Sequence, residues 1–544
     1  MIANEEGDRQ IPSILSYVDG EEFQGTQAKA QLVRNAKNTV AYFRDFLGQD
    51  FKSIDPTAAH QSAHPREHNG TISFSLRDVE AEEEHDVTIS EVTSRHLRRL
   101  KGSASDFLGR TVNACVITVP TNFSEAQKQA LSVAAKNAGL DVLQFIHEPT
   151  AALLAYDARP GASLADKIVV VADLGATRSD VTVIASRGGI YTILAAAHDY
   201  DVGGSQLDQL LMDYFAKEFL KKHKSAEDPR NNQRSLAKLK LESEAVKKAL
   251  SLSSTASFSV ESLSSGLDFT ASINRTRYEL LATKLFASIT RLITNAVSKA
   301  DLDPLDISEI ILAGGTAHTP RIAANVKNAF PEETTVWAPS TKTDAINPSE
   351  LVARGAAIQA SLVSEFEEQD IQESCHPVVT NTPHLEHAVG VLLISPDERG
   401  SGVFKPLVEA NTPVPLRRTA VIATPKEGGD VLVKICEADS YIKVEKKERL
   451  RANGGKKDED EDEDEDDDDD DSDEEDEEVK SKEWKVGKVV AEVAVKGVKK
   501  GGKVEVQISI APDMAVNIIA RELGGKGGVR GQVSAPEVVE NGSA

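Results

Sequence analysis

Apolar and polar positions follow two different patterns along this chain, and the pattern changes near residue 376. Before that point, short runs of Val, Ile and Leu alternate with stretches in which apolar residues recur every three or four positions. Strands alternating with amphipathic helices are typical of α/β proteins. From 378 to 520 the sequence reads as strands alone, separated by Gly, Pro and charged turns. This second pattern predicts an antiparallel β-sandwich.

Several local signals fix the boundaries of elements in the first region. The strand predicted over 110–120 ends at a proline, and Ser124 with Gln127 forms a capping box for the helix that follows. Pro149 suits the first turn of another helix. Two β-rich runs within 167–186 are joined by a tight turn and predict a hairpin.

The charge of the chain is concentrated in one place. Of the 21 residues in 458–478, 20 are acidic, so the net charge of −25 falls to only −5 elsewhere. Like charges repel and resist burial, which predicts a disordered loop over 455–482. A basic protein surface could bind this run, although a solvated loop is the simpler interpretation. The Gly-rich tail over 521–544 is also predicted to be disordered, and no nucleic-acid motif is present.

Cysteine spacing and hydropathy indicate the cellular compartment of the protein. Cys115, Cys375 and Cys436 form no CxxC motif and no disulfide framework, which suits a reducing environment. The first ten residues are polar and acidic rather than typical of a signal peptide. Because no window approaches about 18 apolar residues, we expect no membrane span and a cytoplasmic protein.

Two glycine-containing turns could hold phosphate. Asp173 ends a buried strand and Gly175 follows in the hairpin turn, an arrangement that can admit phosphate oxygens and orient hydrated Mg²⁺. Gly314 and Gly315 lie between a strand and a helix, where free N–H groups can bind an anion. Both segments could equally be plain turns.

Two further clusters have alternative readings. The helix predicted over roughly 233–250 places four polar residues on one face, either as a solvated surface or as a binding face; they are Glu244, Lys247, Lys248 and Ser251. His60, His64 and His68 have the spacing of metal ligands on a helix, but Pro65 favours a loop.

Several stretches in order resemble the heat shock protein 70 chaperones of the DnaK type. They include VPTNFSEAQKQALSVAAKNAGLDVLQFIHEPTAALLAY, DVGGSQLD and INPSELVARGAAIQA, within a match running from residue 2 to about 362. The resemblance implies an actin-like, two-lobed ATPase domain over 1–363 and a linker over 364–377. The sandwich follows over 378–520, without the family's helical lid. ATP with Mg²⁺ is the implied ligand.

The resemblance also assigns site residues by position. Catalytic roles fall on Glu148, Asp173, Asp180 and Arg44, the last replacing a family lysine. Asp173 and Asp180 would also orient Mg²⁺ through water. The remaining nucleotide contacts would be Gly175, Gly203, Gly204, Glu244, Lys247, Lys248, Ser251, Gly314, Gly315 and His318. His318 replaces an arginine that stacks on adenine, and Ser349 replaces an aspartate near the same pocket.

Departures from the family predict a degraded phosphate site. Glycines and a threonine of the second phosphate loop are replaced by Ala176, Thr177 and Arg178. Arg178 could hold phosphate but could not position water as a hydroxyl does. The family's first phosphate hairpin has no counterpart after Met1. We expect a misassigned start rather than a loss, because losing two strands would expose a sheet edge.

These traits together resemble an atypical member of the family found in the fungal ribosome-associated complex. The linker lacks the family's leucine run, and the sandwich carries the acidic insertion. The resemblance implies ATP binding with little or no hydrolysis, a stable J-domain partner of the zuotin type, and assistance to nascent chains. The implied partners are the ribosome and another heat shock protein 70 chaperone. An active, peptide-binding ATPase and a nucleotide exchange factor are the alternatives.

Overall fold

The computed structural model describes residues 1–57, 61–77, 83–162, 165–367, 369–371, 383–394, 402–424, 428–446, 478–525 and 528–534. The chain divides into two compact units, Met1–Asn381 and Thr382–Ala544. His60, Cys375 and most of the acidic run lie outside the described residues, and so do the predictions made for them.

The first unit opens with short strands around a small core. In chain order these elements are β1 (Leu15–Val18), β2 (Glu21–Gln24), α1 (Gly25–Gln31), β3 (Thr39–Val40), β4 (Arg66–His68), β5 (Thr71–Leu76), β6 (His85–Thr88), α2 (Ile89–Leu108), β7 (Ala114–Val119), α3 (Glu125–Asn137), β8 (Asp141–His147) and α4 (Glu148–Asp157). The predicted capping box of Ser124 and Gln127 is confirmed at α3, and Pro149 lies in the first turn of α4. Strands β7 and β8 are parallel.

The rest of the first unit surrounds a five-stranded sheet. Its elements are β9 (Lys167–Leu174), β10 (Ser179–Arg187), β11 (Ile190–Asp199), α5 (Gly204–Lys222), α6 (Gln233–Leu252), β12 (Thr255–Ser264), β13 (Leu267–Asn274), α7 (Arg275–Leu281), α8 (Thr283–Lys299), β14 (Glu309–Ala313), α9 (Pro320–Ala329), β15 (Thr335–Trp337) and α10 (Leu351–Val363). The strand order is β11-β10-β9-β14-β15, and the predicted β9–β10 hairpin is confirmed.

Alternation along β9 explains why helices cover both faces of this sheet. Val170 and Ala172 belong to the core that contains α5 and α8, whereas Val169 and Val171 belong to the core that contains α4 and α10. Successive side chains of a strand point to opposite faces, so an almost wholly apolar strand needs cover on both sides. This arrangement confirms the predicted α/β class of the first unit.

The second unit is an antiparallel sandwich, as predicted. Its strands are β16 (Ala388–Ile394), β17 (Gly402–Val408), β18 (Leu416–Ala423), β19 (Gly429–Lys446), β20 (Glu478–Val498), β21 (Lys503–Ile510), β22 (Val516–Glu522) and β23 (Gly528–Val533). They form two four-stranded sheets, ordered β17-β16-β19-β20 and β18-β21-β22-β23. Among the described residues beyond 383 there is no helix.

Two disorder predictions need correction. Disorder over 521–544 is wrong for 528–533, because β23 pairs with β22 from Gly528↔Arg521 to Val533↔Val516. The predicted loop over 455–482 extends too far, since its last residues, 478–482, pair with β19 as the start of β20. In both cases, hydrogen bonds to a neighbouring strand give the segment a regular structure that its own composition does not predict.

No single helix among the described residues is long and apolar enough to cross a membrane. The pair α7 and α8 passes by length and composition only, and it is bent by 66°.

Candidate functional site

The predicted catalytic side chains meet at one end of the five-stranded sheet. Asp173 near the end of β9 lies opposite Asp180 on β10 in the hairpin register. Glu148 is the first residue of α4, directly after β8. Arg44 lies in a short 3₁₀ turn, and its Nη1 is 3.6 Å from Oε1 of Glu148. The structure therefore brings these four residues together from four separate segments.

Carboxylates outnumber arginines in this cluster. Burial raises the pKa of Asp173 to about 7, and the charges of Glu148 and Asp180 add to the effect. Burial also raises the pKa of Glu148, although Arg44 opposes it. Burial and repulsion keep the pKa of one carboxyl group at about 7, so an added proton or cation stabilises the site.

Arg178 forms a two-point ion pair with Asp180. Its Nε donates to Oδ2 of Asp180 at 2.6 Å, and its Nη2 donates to Oδ1. Nη2 also donates to Oδ1 of Asn122 at 3.0 Å, and Nη1 donates to the Tyr200 hydroxyl at 3.1 Å. The side chain is only 5% exposed. Because these donors are already hydrogen bonded within the protein, the structure disfavours the prediction that Arg178 could hold phosphate.

Asn122 and Tyr200 are site residues that the sequence did not reveal. Asn122 follows the end of β7, and Tyr200 follows the end of β11. The Tyr200 ring centroid is 5.0 Å from Cζ of Arg178, so the ring also makes a cation–π contact. No motif marks either residue; their position at strand ends was the one available signal.

The glycine pair before α5 lets the hairpin turn approach the helix. The N–H of Gly204 donates to the carbonyl oxygen of Gly175 at 2.9 Å, and that of Ser205 donates to Ala176 at 2.8 Å. A Cβ on Gly203 would lie 2.5 Å from the oxygen of Ala176. These two helix-terminal donors are thus satisfied by protein, whereas an anion site needs them free.

Lys247 of α6, one of the predicted nucleotide contacts, is bonded to α5 instead. Lys247 donates to the carbonyl oxygen of Gly204 at 2.8 Å and lies 2.7 Å from Oδ1 of Asp208. Its side chain is 12% exposed, so it supports α5 rather than a solvated face.

Glu244 joins two parts of the first unit. It accepts from Nζ of Lys29 on α1 at 2.6 Å and lies 2.8 Å from Nζ of Lys248. Burial opposes ionisation of Glu244, but Lys29 and Lys248 together lower its pKa to about 2. The side chain of Lys248 is 70% exposed. The Ser251 hydroxyl donates to the carbonyl oxygen of Lys247 at 3.3 Å.

The last predicted nucleotide loop is tightly packed at Gly314. This residue has φ +82°, and a Cβ there would lie 2.6 Å from Oδ1 of Asp173. A Cβ on Gly315 would meet nothing closer than Oγ of Ser349 at 3.9 Å, which leaves room beside it.

His318 belongs to the same loop and is hydrogen bonded to Ser349. Its Nε2 lies 3.1 Å from Oγ of Ser349, and burial lowers its pKa. A neutral imidazole can stack on a base or bond to it, but it lacks the charge of the arginine that it replaces.

The residues present fit a nucleotide better than a directly bound metal. The position beside Gly315 is open, the His318 imidazole is half-buried and Lys248 is exposed, so these groups remain available to a ligand. In the described part of the chain, no group of three or more His, Cys, Asp or Glu side chains is placed to hold a metal ion.

Comparison with known proteins gives matches over most of the chain. A family profile described as Hsp70 protein matches residues 1–428. The ribosome-associated complex subunit SSZ1 of Saccharomyces cerevisiae is 42% identical over 98% of this chain and 95% of its own length. A heat shock protein 70 homologue of Schizosaccharomyces pombe is 45% identical over 82% of this chain and 78% of its own length. Human heat shock 70 kDa protein 14 is 32% identical over 81% and 83%. This chain belongs to the heat shock protein 70 family.

Proposed function

We propose that this chain is a chaperone subunit of a cytoplasmic, ribosome-associated complex. It binds ATP as a structural ligand, hydrolyses it little or not at all, and pairs with a J-domain protein to assist nascent chains. The assembly part of this proposal is supported by the 42% identity to a ribosome-associated complex subunit over 98% of the chain. The ATP part is supported by family membership and by the room beside Gly315.

The observation that carries the proposal for low hydrolysis is the pairing of Arg178 with Asp180. Phosphoryl transfer depends on groups that position water, metal and phosphate precisely. Both carboxylate oxygens of Asp180 are occupied by a guanidinium that is itself buried. Arg44 is similarly held by its neighbour, since its Nε donates to Oδ1 of Asp45 at 2.9 Å.

Mg²⁺, when bound with ATP, supplies charge neutralisation for the phosphates. In this proposal Asp173 would orient water on such an ion. Glu148 lies beside Arg44 and contributes negative charge to the same cluster.

The direct test separates binding from turnover. ATP is titrated calorimetrically into the full chain, and radiolabelled ATP is followed in single-turnover reactions. We expect binding in the presence of Mg²⁺ and no hydrolysis above background. Glu148→Gln should leave that background unchanged, because no carboxylate-dependent turnover exists to lose. Brisk turnover that Glu148→Gln abolishes would support the alternative of an active chaperone, which the convergence of Arg44, Glu148 and Asp173 motivates.

The assembly is tested separately. The chain and a J-domain protein of the zuotin type are co-expressed, and the mixture is analysed by gel filtration and by sedimentation with ribosomes. We expect one co-eluting complex that sediments with ribosomes. Separate elution of the two proteins would refute the pairing without bearing on ATP.

A further inference from the structure

We propose that Arg178 withdraws Asp180 from the metal, so that a nucleotide-bound Mg²⁺ meets the protein through Asp173 without Asp180. This inference rests on the proposed function, because it concerns how bound ATP meets its metal. It differs from the expectation that both aspartates orient the ion.

The first step is the accounting of hydrogen-bond donors on Arg178. A guanidinium has five N–H groups. Two are directed at the two oxygens of Asp180, one at Asn122 and one at Tyr200. Oδ1 of Asp45 lies 3.9 Å from Nη1, which is beyond hydrogen-bonding distance. Four of the five donors are therefore fixed within the protein, and the guanidinium is held in one orientation.

The second step is the state of Asp180. A bidentate guanidinium–carboxylate pair uses one of the two in-plane lone pairs on each carboxylate oxygen and withdraws negative charge from both, which makes Asp180 a weaker acceptor for metal-bound water. The side chain of Arg178 is 5% exposed and that of Asp180 is 14% exposed, and the Tyr200 ring covers the guanidinium. On the side of Asp180 that faces Arg178, water or metal would have to break a charge-assisted, largely desolvated pair, and breaking such pairs is strongly unfavourable.

The third step is the contrast with Asp173. Among the described residues, no hydrogen bond or ion pair joins an arginine to Asp173, which lies against Gly314, where a Cβ would come within 2.6 Å of its Oδ1. Repulsion from Glu148 and Asp180 makes a nearby cation favourable for Asp173. Metal orientation thus falls on one aspartate, while the other serves the fold.

The experiment is a double-mutant cycle on the full chain. ATP affinity is measured with Mg²⁺ and with EDTA for the wild type, Arg178→Gln, Asp180→Asn and the double variant. The measured quantity is the dissociation constant in EDTA divided by the dissociation constant with Mg²⁺. This ratio reports how much Mg²⁺ strengthens ATP binding. Because groups around a metal's ligands commonly change metal affinity by 10–100-fold, we expect Arg178→Gln to raise this ratio about tenfold. Asp180→Asn alone should change it less than about twofold, and the double variant should return to the wild-type ratio.

Two further variants separate release of Asp180 from loss of a positive charge. Arg178→Lys keeps the charge but cannot hold both oxygens, so it should also raise the ratio. Arg230→Gln is the matched control, since Arg230 forms a comparable pair with Asp228, with Nη2 to Oδ2 at 2.7 Å, outside the site. It should leave the ratio unchanged. Circular dichroism of each variant verifies folding, and Arg178→Lys carries the test if Arg178→Gln does not fold.

Three outcomes would overturn the inference: a large loss of Mg²⁺ dependence in Asp180→Asn, an unchanged ratio in both Arg178 variants, or a gain that persists in the double variant. If no variant binds ATP, the proposed function fails instead. In that case the same proteins are titrated with Mn²⁺ alone and followed by electron paramagnetic resonance. This titration tests whether Arg178 withdraws Asp180 from the metal. An additional bound ion in the Arg178 variants that the double variant lacks supports it, and identical titrations refute it.

Discussion

Single residues in this site are defined less by their identity than by the charges that surround them. Asp173, Glu148 and Asp180 are all carboxylates, yet Asp180 is paired with Arg178 and Asp173 has its pKa raised to about 7. The same side chain therefore acts as a fixed ion pair at one position and as a titrating group at the other. The difference follows from which partner the fold brings within hydrogen-bonding distance.

Asp173 should make stability depend on pH near neutrality. Its folded-state pKa lies above the value of about 3.9 in an unfolded chain, so the protonated form favours the native state. That contribution is complete below about pH 4 and is lost as the pH rises through about 7. Asp173→Asn is neutral at every pH, so we expect it to raise the melting temperature more at pH 8 than at pH 5.

Thermal unfolding without nucleotide or metal, followed by circular dichroism, measures this effect. Asp55→Asn is the control, because hydrogen bonds from Thr57 lower the pKa of exposed Asp55 and it does not titrate in this range. An equal shift for Asp173→Asn at pH 5 and pH 8 would contradict the assignment.

Glu244 titrates in the opposite sense and tests a structural role. Its pKa is lowered to about 2, so its contribution to stability is present above about pH 4.3 and lost as the pH falls through about 2. At pH 7, Glu244→Gln should lower the free energy of unfolding by about 1–3 kcal/mol, the usual value of hydrogen bonds to charged groups. Lys248→Gln, at an exposed partner, should cost less than about 1 kcal/mol. Urea denaturation measures both, and equal effects would place Glu244 on a solvated face.

At the scale of elements, the β9–β10 turn is packed onto the start of α5. The carbonyl oxygens of Gly175 and Ala176 accept from the first donors of the helix, and Thr316 also donates to Gly175 at 2.9 Å. Gly203 is needed for this close approach rather than for a positive φ, since its backbone is extended.

Gly203→Ala should therefore separate the turn from the helix. Its Cβ would lie 2.5 Å from the backbone oxygen of Ala176, which cannot rotate away, and overpacking of this kind costs about 1–3 kcal/mol. Gly102→Ala in α2 is the matched control, because nothing lies within 4 Å of its Cβ. That change should stabilise the protein by about 0.5–1 kcal/mol. Equal effects of the two substitutions on urea denaturation would show that the turn is not tightly packed.

The elements were largely predictable, whereas their contacts were not. Ser124 with Gln127 and the apolar runs around Asp173 specify local structure, and the α3 capping box and the β9–β10 hairpin confirm it. The pairing of Arg178 with Asn122 joins residues 56 positions apart, which no local pattern encodes. The burial of Lys247 depends on how α5 packs on α6. From the sequence alone, Lys247 therefore could not be distinguished from a solvated lysine on a helix face.

At the scale of the whole molecule, each of the two units has its own hydrophobic core. The first unit contains the clusters around the five-stranded sheet, and the second contains the interior of the sandwich. Units with separate cores can unfold independently unless a contact or a ligand couples them. The linker sequence, which lacks the family's leucine run, favours weak coupling.

ATP should consequently stabilise one unit and not the other. A ligand that binds only the native first unit adds about 2.7 kcal/mol to its stability at 100 times the dissociation constant. In differential scanning calorimetry with Mg²⁺ and ATP, we expect the transition of the first unit to move to higher temperature while that of the sandwich stays in place. Limited proteolysis assigns each transition to its unit. If both transitions moved together, ATP would be signalling to the sandwich, and its role would extend beyond that of a structural ligand in the first unit.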